Sequence, residues 1–326
     1  MSGTGQGSVI GVILFILYIN DLPQTCLSGC SETEAPNLTD PKIKLLADDT
    51  KAFKRISKEQ PKTDSCVLQK VVNNICSWST KWQMKIHPDK TKVLHLGEDN
   101  PKNVYHINGI NIRTTELEKD IGFFMNENLT SSNHVSKART RALGEIATIR
   151  RSFDHMDEKT FTMLYNQKIR PHIEWGSIAC PPDSKAEANL LDRVQNKATH
   201  LVKNLKSLNS EERREKLKLF PPSYRRQRGD LIEVYKYLKG ITKQDPEQFW
   251  EIKPTRNGLT LAKDQLGANR PGSGRKQRIS FFSYRVIKPW NWLPKELKES
   301  KSLDSFKRGL DVLMESKNWK DFKQQL

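Results

Sequence analysis

The chain has 326 residues and a net charge of +17, with 36% hydrophobic and 29% charged residues. That length suggests two or three compact units rather than one, and so basic a chain points to a polyanionic partner, because lysine and arginine release counterions from phosphate. Five cysteines at uneven spacing argue against a disulfide scaffold. Cys26 and Cys30 are not followed by a second Cys/His pair at zinc-site spacing, which leaves free thiols in a reducing compartment as the reading.

In chain order, "GTGQGS" (3–8) is a glycine-rich loop, and "VIGVILFILYI" (9–19) an apolar run. The run is shorter than the roughly 20 residues that span a bilayer, and "MSGTGQGS" lacks the positive charge of a signal peptide. A buried helix is therefore expected there, with no transmembrane segment and an intracellular, nuclear or cytoplasmic location. Residues 24–41 read as a polar surface loop, and "KIKLLADDTKAFKRI" (42–56) as a hairpin broken by Asp48 and Asp49. Val67, Val71, Ile75, Trp78 and Trp82 recur at helical spacing over 64–84. A short strand follows through Val93, Leu94 and Leu96. "YHINGINI" (105–112) is a second hairpin, since Asn108-Gly109 supplies the positive φ angles of a type I′ turn.

After "KDIGFF" (119–124) the pattern becomes helical, over 131–152, 157–170 with a break at Pro171, and 184–205. A further portion starts near 220, contains the Gly/Pro/Arg stretch 267–278, and closes on a helix that Ser302 is placed to cap. The fold class is α+β, an antiparallel sheet with helices followed by helical units. Basic side chains number 15 against 14 acidic ones over residues 1–125, 17 against 12 over 126–220, and 23 against 12 over 221–326. The nearly neutral part holds the aspartate pair, while the basic excess grows toward the C-terminus.

Asp48 and Asp49 fall in the middle of a strand pattern that disfavours them. At a tight turn two adjacent carboxylates can lean toward one edge and suit a hard cation such as Mg²⁺. With a further carboxylate they suit a pair of ions roughly 3.5–4 Å apart, which clamp both oxygens of a phosphoryl transfer. An ordinary Asp-Asp surface turn fits the same residues equally well.

The ordered segments "GQGSVIGVILFILYINDLP", "LLADDTKAF", "HPDKTKVLHLG", "KDIGFF", "IRPHIEWGS", "DRVQNKATHLV", "YRRQRGDLIEVYKYLKG" and "FFSYRVIKPWNWLP" resemble consecutive motifs of reverse transcriptases from jockey-like non-LTR retrotransposons. The resemblance covers nearly the whole chain. It implies a partial polymerase palm over 1–125, a helical thumb-like domain over 126–220 and a basic, mostly helical C-terminal region over 221–326. By the same resemblance Gln6, Gly7 and Ser8 lie against the template base and incoming nucleotide. Asp48 and Asp49 bind Mg²⁺, Lys90 protonates the pyrophosphate leaving group, and Gly122 forms the primer-grip turn.

The implied partners are an RNA template and a DNA primer or target, with no membrane. Candidate nucleic-acid contacts are Arg139, Arg141, Arg150, Arg151, Arg225, Arg226, Arg228, Arg275, Lys276 and Arg278, of which about half are expected merely to solvate helices. Two departures from the family pattern matter. Its prolines beside the first loop are here Gly5 and Val12. Its first palm strand, with the third metal-binding aspartate, and its fingers would lie ahead of residue 1. The resemblance therefore implies a nucleotidyltransferase fragment that does not polymerise DNA by itself. The alternative is a non-catalytic RNA- or DNA-binding remnant or a decayed gene product.

Overall fold

A computed structural model describes residues 9–30, 40–263 and 275–316. The protein is α+β, 53% helical with small sheets, and divides into two compact units, Met1–Leu117 and Glu118–Leu326. The loop carrying Gln6, Gly7 and Ser8 lies outside the described residues, as does most of the Gly/Pro/Arg stretch.

In the first unit, helices α1 (Val9–Ile19) and α2 (Leu22–Leu27) precede the antiparallel hairpin β1 (Lys42–Leu46) and β2 (Asp49–Phe53), and then the long helix α3 (Pro61–Lys81). The α3 sequence is apolar on two stripes. Val71 and Trp78 pack on Ile19, Leu22 and Ile43, while Cys76, Leu68 and Val72 face Tyr105, Ile107 and Ile112. Strand β3 (Lys92–Leu94) pairs in parallel with β6 (Arg113–Thr115). Strands β4 (His106–Ile107) and β5 (Ile110–Asn111) join through Asn108 at φ 50° and Gly109 at φ 80°, the type I′ geometry expected of that dipeptide.

The apolar run 9–19 forms its helix but is not buried. Gly11, Phe15 and Ile19, one turn apart, face the core and the half-exposed Tyr18 ring packs edge-on against Trp78 and Trp82, while Ile10, Val12, Ile13, Leu14, Ile16 and Leu17 are exposed. The expectation of a buried helix followed from composition; an all-round apolar helix needs partners on every side, and the described residues cover one stripe. Together with α2, Ile10–Leu27 is 18 residues at mean hydropathy 1.6 and 17% buried, the one stretch among the described residues long and apolar enough to cross a membrane. A turn at Asn20 and Asp21 interrupts it. The 11 residues of α1 reach about 16 Å at 1.5 Å each, against a hydrocarbon core of about 30 Å.

In the second unit, strands β7 (Leu117–Asp120) and β8 (Phe123–Asn126) pair. Helices α4 (Ser132–Ser152), α5 (Glu158–Leu164), α6 (Arg170–Glu174), α7 (Lys185–Thr199) and α8 (Ser210–Lys216) follow. Their core includes Ala142, Ile146, Phe161, Ile169, Leu191 and Val194. The expected break at Pro171 does not occur. Residues Tyr165–Ile169 widen into a π-helical turn, with the Arg170 N–H on the Tyr165 carbonyl, and the chain continues helically to Glu174. Proline lacks a donor and crowds the preceding turn, and the wider turn relieves both. The helix expected over 184–205 ends at Thr199, and the chain resumes as a single 3₁₀ turn at Lys203–Leu205.

A second core is built by α9 (Pro222–Leu238) and the helices Ile287–Trp292 and Leu303–Glu315, around Leu231, Tyr235, Trp290, Phe306 and Leu310. The rings of Tyr235 and Phe306 stack at 4.3 Å. Ser302 caps the last helix through the Ser305 N–H at 3.1 Å, as expected. The region also holds a hairpin the sequence reading did not anticipate, β9 (Glu251–Thr255) and β10 (Gly258–Ala262), turning at Arg256-Asn257.

Candidate functional site

The aspartate pair sits at the tip of the β1–β2 hairpin. Leu46 opposes Asp49, so Ala47 and Asp48 form a two-residue loop. Such loops require positive φ, and Ala47 adopts φ 52°. For an alanine that conformation costs roughly 1–2 kcal/mol. Asp48 and Asp49 are both exposed. Side chains alternate along the strands: Ile43, Leu45 and Ala52 face the core, and Asp49 shares the outer face with Lys42, Lys44, Leu46, Lys51 and Phe53.

The hairpin is fastened from behind. Lys54, the residue after β2, is buried and its Nζ lies 2.8 Å from Asp64 Oδ1 in the first turn of α3. The Ser57 N–H and hydroxyl donate to the other Asp64 oxygen at 2.7 and 2.6 Å. Burial by itself would raise the Asp64 pKa, but these bonds from Lys54 and Ser57 together outweigh it and hold the carboxyl below its ordinary value.

Lys90 is exposed in the turn after α3, its N–H on the His87 carbonyl at 3.1 Å, and it makes no ion pair with Asp48 or Asp49. Asp21 accepts the Trp78 indole N–H at 3.0 Å, and Asp89 lies 3.8 Å from His87. Two exposed carboxylates on one turn suit a single hard cation that keeps most of its waters. A pair of cations needs more, and among the described residues no group of three or more His, Cys, Asp and Glu side chains is arranged to hold a metal ion.

The second unit builds a different kind of site. Ile121 (φ 45°) and Gly122 (φ 88°) form a type I′ turn between β7 and β8. A Cβ at Gly122 would lie 2.7 Å from Trp175 Nε1, so only glycine admits the indole, which donates to the Ile121 carbonyl at 3.1 Å. Trp175 remains 57% exposed. Its own carbonyl accepts from His134 Nε2 at 3.0 Å. Burial, followed by the nearby Arg141 charge, pushes the His134 pKa down. Lys119, Lys137, Arg141, His134 and Trp175 line a cleft of about 250 Å³ beside the turn.

Arg139, Arg141, Arg150 and Arg151 are all exposed along α4. Lys137, Arg141 and Arg151 fall on one stripe, since 14 residues make almost four turns. Arg225, Arg226 and Arg228 are placed differently. Arg225 pairs with Glu174, Arg228 with Asp311, and Arg226 lies largely buried 3.7 Å from Asp192. These three join helices to one another. Arg278 is half-buried, and the side chains of Arg275 and Lys276 lie outside the described residues.

The reading of the sequence assigned no role to Trp175, His134, Lys119 or Lys137. The His134, Lys137, Arg141 spacing of three and four was a usable signal; the contact of Trp175 with Gly122 was not, because it joins two segments far apart in the chain. A further residue it passed over, Arg285, donates to Asp230 at 2.8 and 2.7 Å, to the Ser280 carbonyl at 2.8 Å, and to the Ser177 and Ile178 carbonyls at 3.3 and 3.0 Å. It thereby ties the C-terminal helices to the turn that carries Trp175.

Among known proteins the chain is similar to the probable RNA-directed DNA polymerase from transposon X-element of Drosophila melanogaster, 25% identical over 210 residues. The match covers 62% of this chain and 22% of that protein, so the chain spans about a fifth of the relative's length. No family model matches the chain. No solved structure matches it. The similarity supports a relationship to reverse transcriptases.

Proposed function

We propose that the chain is part of the reverse transcriptase of a jockey-like non-LTR retrotransposon, with palm elements in residues 1–125, a thumb in 126–220 and a basic C-terminal region in 221–326. The observation that carries this reading is the two-residue hairpin that displays Asp48 and Asp49 at its exposed tip, in a chain similar to a transposon polymerase. In this reading the pair holds Mg²⁺, which when bound would polarise a phosphoryl oxygen. Lys90 supplies a proton to the leaving group, and Gln6, Gly7 and Ser8 contact template and nucleotide. The Ile121–Gly122 turn with Trp175 positions the primer end, and the α4 arginines hold the phosphates of an RNA–DNA hybrid.

With no third carboxylate beside Asp48 and Asp49 among the described residues, the chain alone does not catalyse nucleotide addition. Electrostatic clamping is the main contribution of such a site, and half a clamp leaves most of the barrier in place. The exposed cations of α4 favour the companion reading that hybrid binding persists without catalysis.

Primer extension on an RNA template, beside retention of an RNA–DNA hybrid at low salt, tests both statements. The expected result is hybrid retention, weakened steeply by salt, with no incorporation. Incorporation that vanishes in Asp48→Ala would refute inactivity and uphold the metal assignment. Absence of hybrid retention would refute the binding reading.

A further inference from the structure

A second cleft, unrelated to the Gly122 turn, runs along α5 and the π-helical turn on one side and residues 216–220 on the other, with a volume of about 690 Å³. Its helical wall extends from Glu158 to Arg170, some 18 Å at 1.5 Å per residue. The floor is apolar, with Leu217 and Phe220 below and Met163 at the rim.

The charge around the cleft is mostly positive: Glu158 is the one carboxylate in its lining, against Lys159, Arg170, Lys216, Lys218 and Arg225. Arg170 and Arg225 both engage Glu174, but Lys159, Lys216 and Lys218 are exposed and make no ion pair among the described residues. Lys218 is the telling member. It occupies the left-handed position that ends α8, at φ 52°, with its N–H on the Glu215 carbonyl at 3.0 Å and the Leu219 N–H on the Arg214 carbonyl at 2.9 Å. Glycine favours that position, and a lysine there holds its backbone under strain. Strain of this kind concentrates where a side chain serves a ligand.

Tyr165, 1% exposed, lines the same cleft. Its hydroxyl accepts from Gln195 at 3.0 Å, and its own proton has no acceptor among the described residues. Burial pushes the phenol up to about 12, so that proton stays in place at neutral pH.

We infer that this cleft binds a single-stranded polynucleotide, its phosphates on Lys159, Lys216 and Lys218 and its bases against the apolar floor. The three lysines flank one groove and match one phosphate backbone rather than the two of a duplex. The inference rests on the reading of the chain as a nucleic-acid-binding protein and adds a site for an unpaired strand, apart from the hybrid.

Fluorescence anisotropy of the whole chain with a labelled oligouridylate, between about 50 and 200 mM salt, tests it. Each phosphate contact contributes about 0.7 to the slope of log affinity against log salt for single strands. The triple variant Lys159→Gln, Lys216→Gln, Lys218→Gln should lose about 2 from that slope. A control of equal charge change, Lys185→Gln, Lys203→Gln, Lys206→Gln, should keep the native slope. Lys218→Gly alone should lose about 0.7 while its melting temperature holds or rises, because glycine relieves the strain. That variant separates binding from folding.

Equal effects of the cleft and control variants would overturn the inference, as would tighter competition by polyglutamate than by unlabelled oligouridylate. Hybrid binding with no cleft-sensitive single-strand binding overturns the cleft alone. Cleft-sensitive single-strand binding without hybrid binding upholds the cleft and overturns the hybrid reading. Binding of neither probe overturns both.

Discussion

Asp64 and Arg285 each gather several polar contacts, and each holds a candidate site from behind. Asp64 carries the buried Lys54 ammonium and both Ser57 donors. Removing its charge weakens the anchor between hairpin and helix, and hydrogen bonds to a charged group are worth roughly 1.5–3 kcal/mol. Asp64→Asn should lower the stability of the first unit to urea by about that amount, and an unchanged midpoint would show that the anchor adds nothing. Arg285→Ala should destabilise the second unit by a similar amount. It should also alter Trp175 emission, because the Ser177 and Ile178 carbonyls lose their donor. Unchanged emission would mean that the Trp175 turn stands without Arg285.

The Ile121–Gly122 hairpin and the Trp175 indole behave as one element rather than two. Gly122→Ala introduces both a left-handed alanine and a collision with the ring, at roughly 1–2 kcal/mol for the backbone alone. Trp175→Ala removes the ring and with it the collision. A double-mutant cycle should therefore give a coupling of at least about 0.5 kcal/mol, with the double variant less impaired than the two single losses summed. Additivity within experimental error would place the indole away from the turn in solution. The π-helical turn ahead of Pro171 is a second such device: it keeps α5 and α6 in line, so that the wall of the large cleft is continuous.

Across the whole molecule, acid should act in two stages. His134 and His200 have pKa values lowered first by burial, and then by Arg141 and by Arg213 respectively. Below about 6.5 the unfolded chain therefore binds more protons than the folded one, and stability falls as pH drops through that region. Asp64, lowered in the folded state by Lys54 and Ser57, contributes stability that is present above the ordinary carboxylate value and lost below it. Melting temperatures measured from pH 8 to pH 3 should decline in two steps, and His134→Gln should shrink the first. A flat profile between pH 7.5 and 5 would contradict the burial of His134.

Much of this was readable in the chain wherever a residue carries its own conformational instruction. Asn108-Gly109 and the Ser302 cap announced a turn and a helix start, and the spacing of Val67 to Trp82 announced α3. Ala47 gave no such sign, because its left-handed conformation is imposed by the pairing of Leu46 with Asp49 and not by alanine. The clamp of Trp175 on Gly122, and the Lys54–Asp64 anchor, are tertiary contacts that no local pattern encodes. Charge counting was least informative around α9: Arg225, Arg226 and Arg228 look like a basic patch in the sequence, yet they fasten helices through Glu174, Asp192 and Asp311.

The uncovered sides of α1 bear on any measurement of this protein. Six large aliphatic side chains on an 11-residue helix meet water, and whatever shelters them is favoured by about 25 cal/mol for each Å² removed from solvent. By mass action the apparent stability of the chain then rises with its own concentration, or with added mild detergent. A melting temperature that climbs across a dilution series would register that shelter, whereas a constant one would show the helix content on its own. For this molecule, concentration is a thermodynamic variable on the same footing as pH and salt.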